Sequence, residues 1–383
     1  MNSKLHKCIL CGNAVKSTPI LEFENMPASA QNIPDYEALK DETGMSFNLI
    51  QCEKCGLVQL DCTPVDYYKD VIRSGGYSST MKDLRTIQYK NLIKKYNLIG
   101  KKIVEIGCGQ GEFLLPLKEF DVKPFGIENK KSLANIAKAN GIKVFNGFIN
   151  DDLEAIKNKG PFDAFLSFNF IEHQPDPNKM LSSIYEIMSD DGVGIITAPS
   201  FEYIIENGSY YEFIRDHIAY YTFDTLCFLA NKNGFDVIEK EMINRDTLSV
   251  IVKKRQLFNC NRLKESQLIL QNEFENLIGK YKSRNMTVSV WGASHQGFTV
   301  LSTLKLGEKI EYVIDSAPFK QNKFAPSSHI PIVSPEYFGS NPTDAVIIIA
   351  PGYSDEIYKI IKSICNKKID IYTLQTDHIK FLN

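Results

Sequence analysis

Three groups of residues have the types and spacing to do chemistry. The first is FIRDHIAYYT, Phe213 to Thr222, where an acid, a histidine and two tyrosines stand together. His217 titrates near neutrality and suits proton removal from a bound molecule. Asp216 could orient it or pair with its charge, and Tyr220 and Tyr221 offer ring faces or hydroxyls. The competing role for His217 is to cap a helix or bond a backbone carbonyl. The second group is thiols. Cys8-x-x-Cys11-Gly12 is matched by Cys52-x-x-Cys55-Gly56. The two-residue gap lets both thiolates of a pair reach one ion, and the glycine permits the tight turn behind them. Two such pairs make a closed, structural four-cysteine site that suits Zn2+ better than iron. A redox pair is the weaker alternative. Cys62 has no partner by spacing and reads as a small buried apolar residue.

The third group is a glycine loop in KKIVEIGCGQGEFLLPL. Lys102 to Ile106 reads as a buried strand carrying Glu105 near its end, and Glu112 onward as a helix. Gly107, Gly109 and Gly111 lie between them, where glycine lets the backbone turn sharply and approach a ligand. VKPFGIENKK is a second strand ending in Glu128, at the distance where an acid grips ribose hydroxyls. PFDAFLSFNFIEHQPDPNKML is a third strand beginning near Asp163, a loop holding Glu172 and His173, then a helix.

Positioning these groups takes several elements. TFDTLCFLANKNGF is a helix with Thr222 or Asp224 near its N-cap, closed by Gly234, and DVIEK opens the next strand. Residues 210–221 therefore fall at the carboxyl edge of a sheet, where ligands of open α/β folds sit. RSGGYSSTM, Arg73 to Met81, reads as a lid over the bound molecule, with a plain linker as its alternative; Tyr77 is its candidate side chain. Residues 256–284 read as a linking helix. Beyond them Val288 to Trp291, the turn Gly292 to Gly297, a strand ending at Asp315 and DAVIIIAPGY repeat the α/β pattern, either as a second nucleotide site or as a structural partner.

The chain has 383 residues, too many for one core, with a net charge of −2 and 43% apolar residues. No field or basic tract draws it to nucleic acid. It carries neither a signal-like start nor an apolar run long enough for a membrane span, so a cytoplasmic setting is expected. The predicted layout is a zinc module over 1–72, an α/β domain over 73–255, the linking helix, and a Rossmann-like domain over 285–383.

VEIGCGQG, GIEN, FDAFLSFNFIEH and DGVGIITAP resemble the class I S-adenosylmethionine-dependent methyltransferases. That resemblance implies that Gly107, Gly109 and Gly111, with Glu105, line the cofactor, that Glu128 holds its ribose, that Asn146-Gly147-Phe148 meets its adenine, and that Asn169 lies near its methionine end. Glu172-His173 would be a loop signature beside the cofactor. The whole layout, with CxxCG twice, GGYSST, RDHIAYYT, WGASHQG, VIDSAPFKQNKFAPSSHIPI and APGYSDEI, is similar to the sugar C-methyltransferase family. That family methylates carbon-3 of nucleotide-linked keto-deoxysugars. It implies His217 as base with Asp216 before it, Tyr77 from the linker, and an acceptor whose nucleotide reaches the C-terminal domain. Departures concern the acceptor: Asp216 for a glutamate, Ile214 for a catalytic tyrosine, NRDTLSV for HGGSLR, and Ala350 to Gly352 for PWN. They leave methylation of a sugar or polyol oxygen as an alternative, and a non-catalytic cofactor-binding scaffold as another.

Overall fold

Alternation and apolar runs, bounded by glycine and asparagine turns, decide where the strands lie. The computed structural model describes residues 7–15, 18–71 and 78–382. Tyr77 lies outside them. The chain divides into two compact units, Met1–Gln256 and Leu257–Asn383.

In the first unit a small antiparallel sheet comes first: β1 (Leu21–Met26), β2 (Met45–Gln51) and β3 (Val58–Leu60). Helix α1 (Ser79–Lys95), capped by the Ser78 hydroxyl, leads into the main sheet. The main sheet is built from β4 (Lys102–Ile106), β5 (Lys123–Glu128), α2 (Lys131–Ala139), β6 (Lys143–Asn146), α3 (Leu153–Lys157), β7 (Phe162–Phe168), α4 (Pro177–Ile187) and β8 (Met188–Pro199). After α5 (Phe201–Asn207) and the two-residue β9 (Ala219–Tyr220) come α6 (Phe223–Lys232), β10 (Phe235–Ile243) and β11 (Thr247–Lys254). Spatial order is β10-β11-β8-β7-β4-β5-β6, parallel except for β11, which runs antiparallel to both neighbours. The chain leaves β4 in one direction through β5 and β6, then returns to the other side with β7. That reversal opens a crevice at the carboxyl ends of β4 and β7.

Glu112 does not begin an α-helix. Turns follow Gly111, and the only helical piece is a short 3-10 segment, Pro116–Glu119. Pro116 has no N–H to give and crowds the preceding turn, so a regular helix through FLLPL fails. The α6 prediction holds: the Thr222 hydroxyl accepts from the Thr225 N–H, the Thr225 hydroxyl accepts from the Thr222 N–H, and Gly234 takes φ +84.

β9 pairs with β3, not with the main sheet, through Val58↔Tyr220 and Gln59↔Ala219. The cysteine-bearing segment is thus sewn to the larger domain. Leu10, Leu57 and Val58 share one core with Tyr221, Leu226 and Leu229. Leu226 and Leu229 are fully buried, each worth about 1.5–3 kcal/mol relative to exposure.

The second unit has α7 (Asn261–Lys282), β12 (Val288–Trp291), α8 (His295–Thr303), β13 (Val313–Ile314), β14 (Lys323–Phe324), β15 (Pro331–Val333), α9 (Pro335–Ser340), β16 (Ala345–Ile348), α10 (Ser354–Ile364), β17 (Asp370–Gln375) and β18 (His378–Phe381). Its order is β14-β15-β13-β12-β16-β17-β18, five parallel strands with an antiparallel strand at each edge. α7, expected as a link, belongs to this unit: Phe274, Ile278 and Tyr281 are buried in its core. No helix among the described residues is long and apolar enough to cross a membrane.

Candidate active site

The glycine loop is built as a cradle. Gly107, Gly109 and Gly111 all hold positive φ (+71, +56 and +80), which L side chains rarely adopt. A Cβ on Gly107 would stand 3.3 Å from the Phe170 ring, and one on Gly111 3.3 Å from that of Ala137. Glu128, at the end of β5, accepts from the Gly109 N–H (2.9 Å) and the Lys130 N–H (2.8 Å), so its carboxylate is pre-oriented beside the loop. This arrangement fits an adenosyl ribose. Asn169 follows β7 at φ +46; its N–H donates to the Thr197 carbonyl, and its side-chain oxygen accepts from the Thr197 hydroxyl at 2.7 Å. The amide is thereby fixed at the crevice.

Glu105 is wholly buried within β4 and presents no surface to a ligand. Asn146 gives its amide to the Glu128 and Asn129 carbonyls, which holds the end of β5 in place. Phe148 is buried, with its N–H donated to Asp152 (2.8 Å) and its ring edge-on to Tyr68.

The loop after β7 carries Glu172 and His173, and FIRDHIAYYT closes onto it. The Ile218 N–H donates to the Glu172 carbonyl (2.9 Å), and His173 Nδ1 meets the Asp216 carbonyl at 2.7 Å. The His173 and His217 rings stand edge to face with centroids 4.8 Å apart. Ligand atoms of Glu172, His173 and His217 all lie within 4.8 Å of one another. Burial and then the neighbouring His173 hold the His217 pKa down to about 3, so its imidazole is neutral at ordinary pH. Burial likewise depresses His173.

Asp216 does not partner His217 through its carboxylate. Its Oδ1 accepts from the Tyr67 hydroxyl (2.6 Å) and its Oδ2 from the Ala30 N–H (2.9 Å), both in the N-terminal module. Tyr220 and Tyr221 do not reach the crevice either. Tyr220 is spent on the Ile214 backbone, and Tyr221 is fully buried. Sequence reasoning passed over Tyr67 to Asp70 and treated His173 only as a loop marker. The signal for His173 was there, an acid-histidine pair straight after a crevice strand. Tyr67 had none.

The two cysteine knuckles share one geometry. Cys8 N–H donates to the Asn13 carbonyl and Gly12 N–H to Cys8; Cys52 N–H donates to Leu57 and Gly56 N–H to Cys52. Gly12 and Gly56 take φ +80 and +81. Cys8 and Cys55 sulfurs lie 3.5 Å apart, as do those of Cys11 and Cys52, and all four fall within 4.8 Å of one another. Such a set fits one tetrahedral ion at about 2.3 Å from each sulfur. Cys62 is buried, as expected, with its pKa pushed up to about 11 by that burial.

Residues 83–240 match a family described as a methyltransferase domain, and residues 256–373 one described as the C-methyltransferase C-terminal domain. C-methyltransferase NovU of Streptomyces niveus is 21% identical over 387 residues, which span 92% of this chain and 91% of that protein. The chain is an S-adenosylmethionine-dependent methyltransferase, similar along its length to the C-methyltransferases. A ubiquinone biosynthesis O-methyltransferase of Colwellia psychrerythraea is 23% identical over 111 residues, 28% of this methyltransferase and 45% of that protein. A solved S-adenosylmethionine-dependent methyltransferase from Archaeoglobus fulgidus aligns at 19% identity with a TM-score of 0.37, covering 45% of this chain and 94% of that one. At that score the likeness adds nothing to the sheet order already described.

Proposed function

We propose that this methyltransferase transfers a methyl group to a carbon beside the ketone of a nucleotide-linked deoxysugar, with His217 as the base and Zn2+ in the four-cysteine site. The observation that carries the reading is the meeting of His217 with Glu172 and His173 at the carboxyl edge of the sheet, on the loop whose Phe170 packs against Gly107. S-adenosylmethionine, when bound, supplies an already electrophilic methyl. The protein must therefore align the acceptor, exclude water and remove one proton. Neutral His217 takes the proton from the carbon next to the ketone and leaves its electron pair on the enolate; S-adenosylmethionine held at the glycine loop and Glu128 would supply the methyl that this carbon receives, its sulfur keeping the electron pair of the broken S–CH3 bond. The imidazolium so formed, disfavoured in this buried setting, then gives its proton to water. Tyr77, outside the described residues, is assigned to the enolate oxygen. Zn2+ has no part in the reaction and holds the N-terminal module together.

The test is incubation with methyl-labelled S-adenosylmethionine and a panel of 4-keto and reduced nucleotide sugars, read by NMR. Label on a ring carbon of a keto sugar is the expected result. Label on oxygen would replace the carbon reading and make His217 the base for a hydroxyl. His217→Ala is expected to abolish turnover while cofactor affinity stays unchanged; retained turnover removes the base assignment.

A further inference from the structure

Tyr67 and Asp216 are separated by 149 residues, yet the phenol donates to Asp216 Oδ1 at 2.6 Å. The other carboxylate oxygen accepts from the Ala30 N–H, and Asp216 is 4% exposed. Beside it, Arg215 donates to the carbonyls of Thr63, Ala28 and Pro64. The peptide carrying Asp216 is therefore held from the side of the cysteine module. Its carbonyl has a specific job. A carbonyl can only accept, so its 2.7 Å contact with His173 requires the proton on Nδ1. His173 Nε2 is then left as the lone-pair nitrogen, 4.0 Å from Glu172 Oε1 and within the cluster that includes His217. A flip of this tautomer would aim an N–H at the cluster and take away the acceptor.

We propose that Tyr67 is a positioning residue for the histidine pair: by fixing the Asp216 peptide it selects the His173 tautomer and holds His217 beside it. The residues after it run along the cofactor side. Tyr68 packs edge-on against Phe148, Lys69 pairs with Asp151 at 2.6 Å, and Asp70 accepts from the Asn129 amide at 2.6 Å, next to Glu128. Four consecutive residues thus tie the acceptor loop to the adenosine-side loops. The proposal rests on reading His217 as the base, and its test separates the two.

The chain has six histidines, so protein labelled with 15N-histidine gives a tractable spectrum in which tautomers are distinguished directly. Wild type is expected to show His173 as a single Nδ1–H tautomer. In Tyr67→Phe that signal should become a tautomer mixture. Methyl transfer to a 4-keto nucleotide sugar should fall about tenfold in kcat, the size of one lost hydrogen bond to a charged group. Affinity for S-adenosylmethionine and bound zinc should be unchanged. Should Tyr67→Phe lose zinc or melt, Asp216→Asn, which leaves the phenol and the module in place, carries the same readouts. Where both fold, the double variant should be no worse than either alone, because both break one chain of contacts. A single unchanged tautomer in both variants, with kcat within about twofold of wild type, overturns the proposal. If instead His217→Ala keeps its turnover, the base assignment fails while the tautomer readout still decides the role of Tyr67.

Discussion

His173 and His217 are both built to stay neutral, and this has a cost when protons are abundant. In the unfolded chain each titrates near its ordinary value, about 6.5. In the native state burial depresses both, His217 to about 3. Below about pH 6.5 the unfolded state therefore binds more protons than the native one. Their contribution is fully present above that pH and is lost as pH falls from about 6.5 towards 3. The urea midpoint of the N-terminal unit should drop between about pH 7 and pH 5, and the His173→Gln/His217→Gln double variant should flatten that slope; an equally steep slope in the variant would assign the pH dependence elsewhere. Glu128→Gln should weaken S-adenosylmethionine binding by roughly 10- to 100-fold in calorimetry, the range for a hydrogen bond to a charged group. The residues that could be read in the sequence were those whose meaning is local: four cysteines at knuckle spacing, three glycines after a strand, an acid ending the next strand. Asp216 was misread because its neighbour in sequence is His217, whereas its neighbours in space are Tyr67 and Ala30. No spacing rule joins a tyrosine to an aspartate across such a distance.

At the level of elements, long apolar strands and capped helices declared themselves. α6 has both signals, a Thr222–Thr225 box and a left-handed Gly234. Thr222→Ala should cost about 1 kcal/mol in urea unfolding, the usual size of a lost N-cap. β9 could not be seen, because a two-residue strand has no periodicity to detect. Yet it lies two residues beyond His217 and pairs with β3, six residues after the second cysteine knuckle begins. Metal removal should therefore be felt at the acceptor side. Stripping the ion with a chelator, or Cys52→Ser, is expected to abolish methyl transfer with cofactor affinity largely retained, since the glycine loop and Glu128 belong to the main sheet. Equal loss of both would mean that the module supports the entire unit. The run after Gly111 failed for the opposite reason: FLLPL has helical composition, and one proline outweighs it.

For the molecule as a whole, each unit has its own core, and α7 falls on the C-terminal side of the division. Residues 257–383 expressed alone should fold, with a cooperative thermal transition and dispersed NMR signals. Cutting instead after residue 284 removes Phe274, Ile278 and Tyr281 from that core and should leave a molten or aggregating product. The sheet shared by β3 and β9 also bears on how the protein is made. During synthesis β1, β2 and β3 leave the ribosome about 160 residues before their last partner, β9, whose Tyr220 pairs with Val58. Until then β3 is an open edge, able to pair with any other nascent strand. An ion gripped early by the four cysteines would hold that unfinished sheet in its final shape while it waits. Metal supply during translation would then help to set how much active protein a cell obtains.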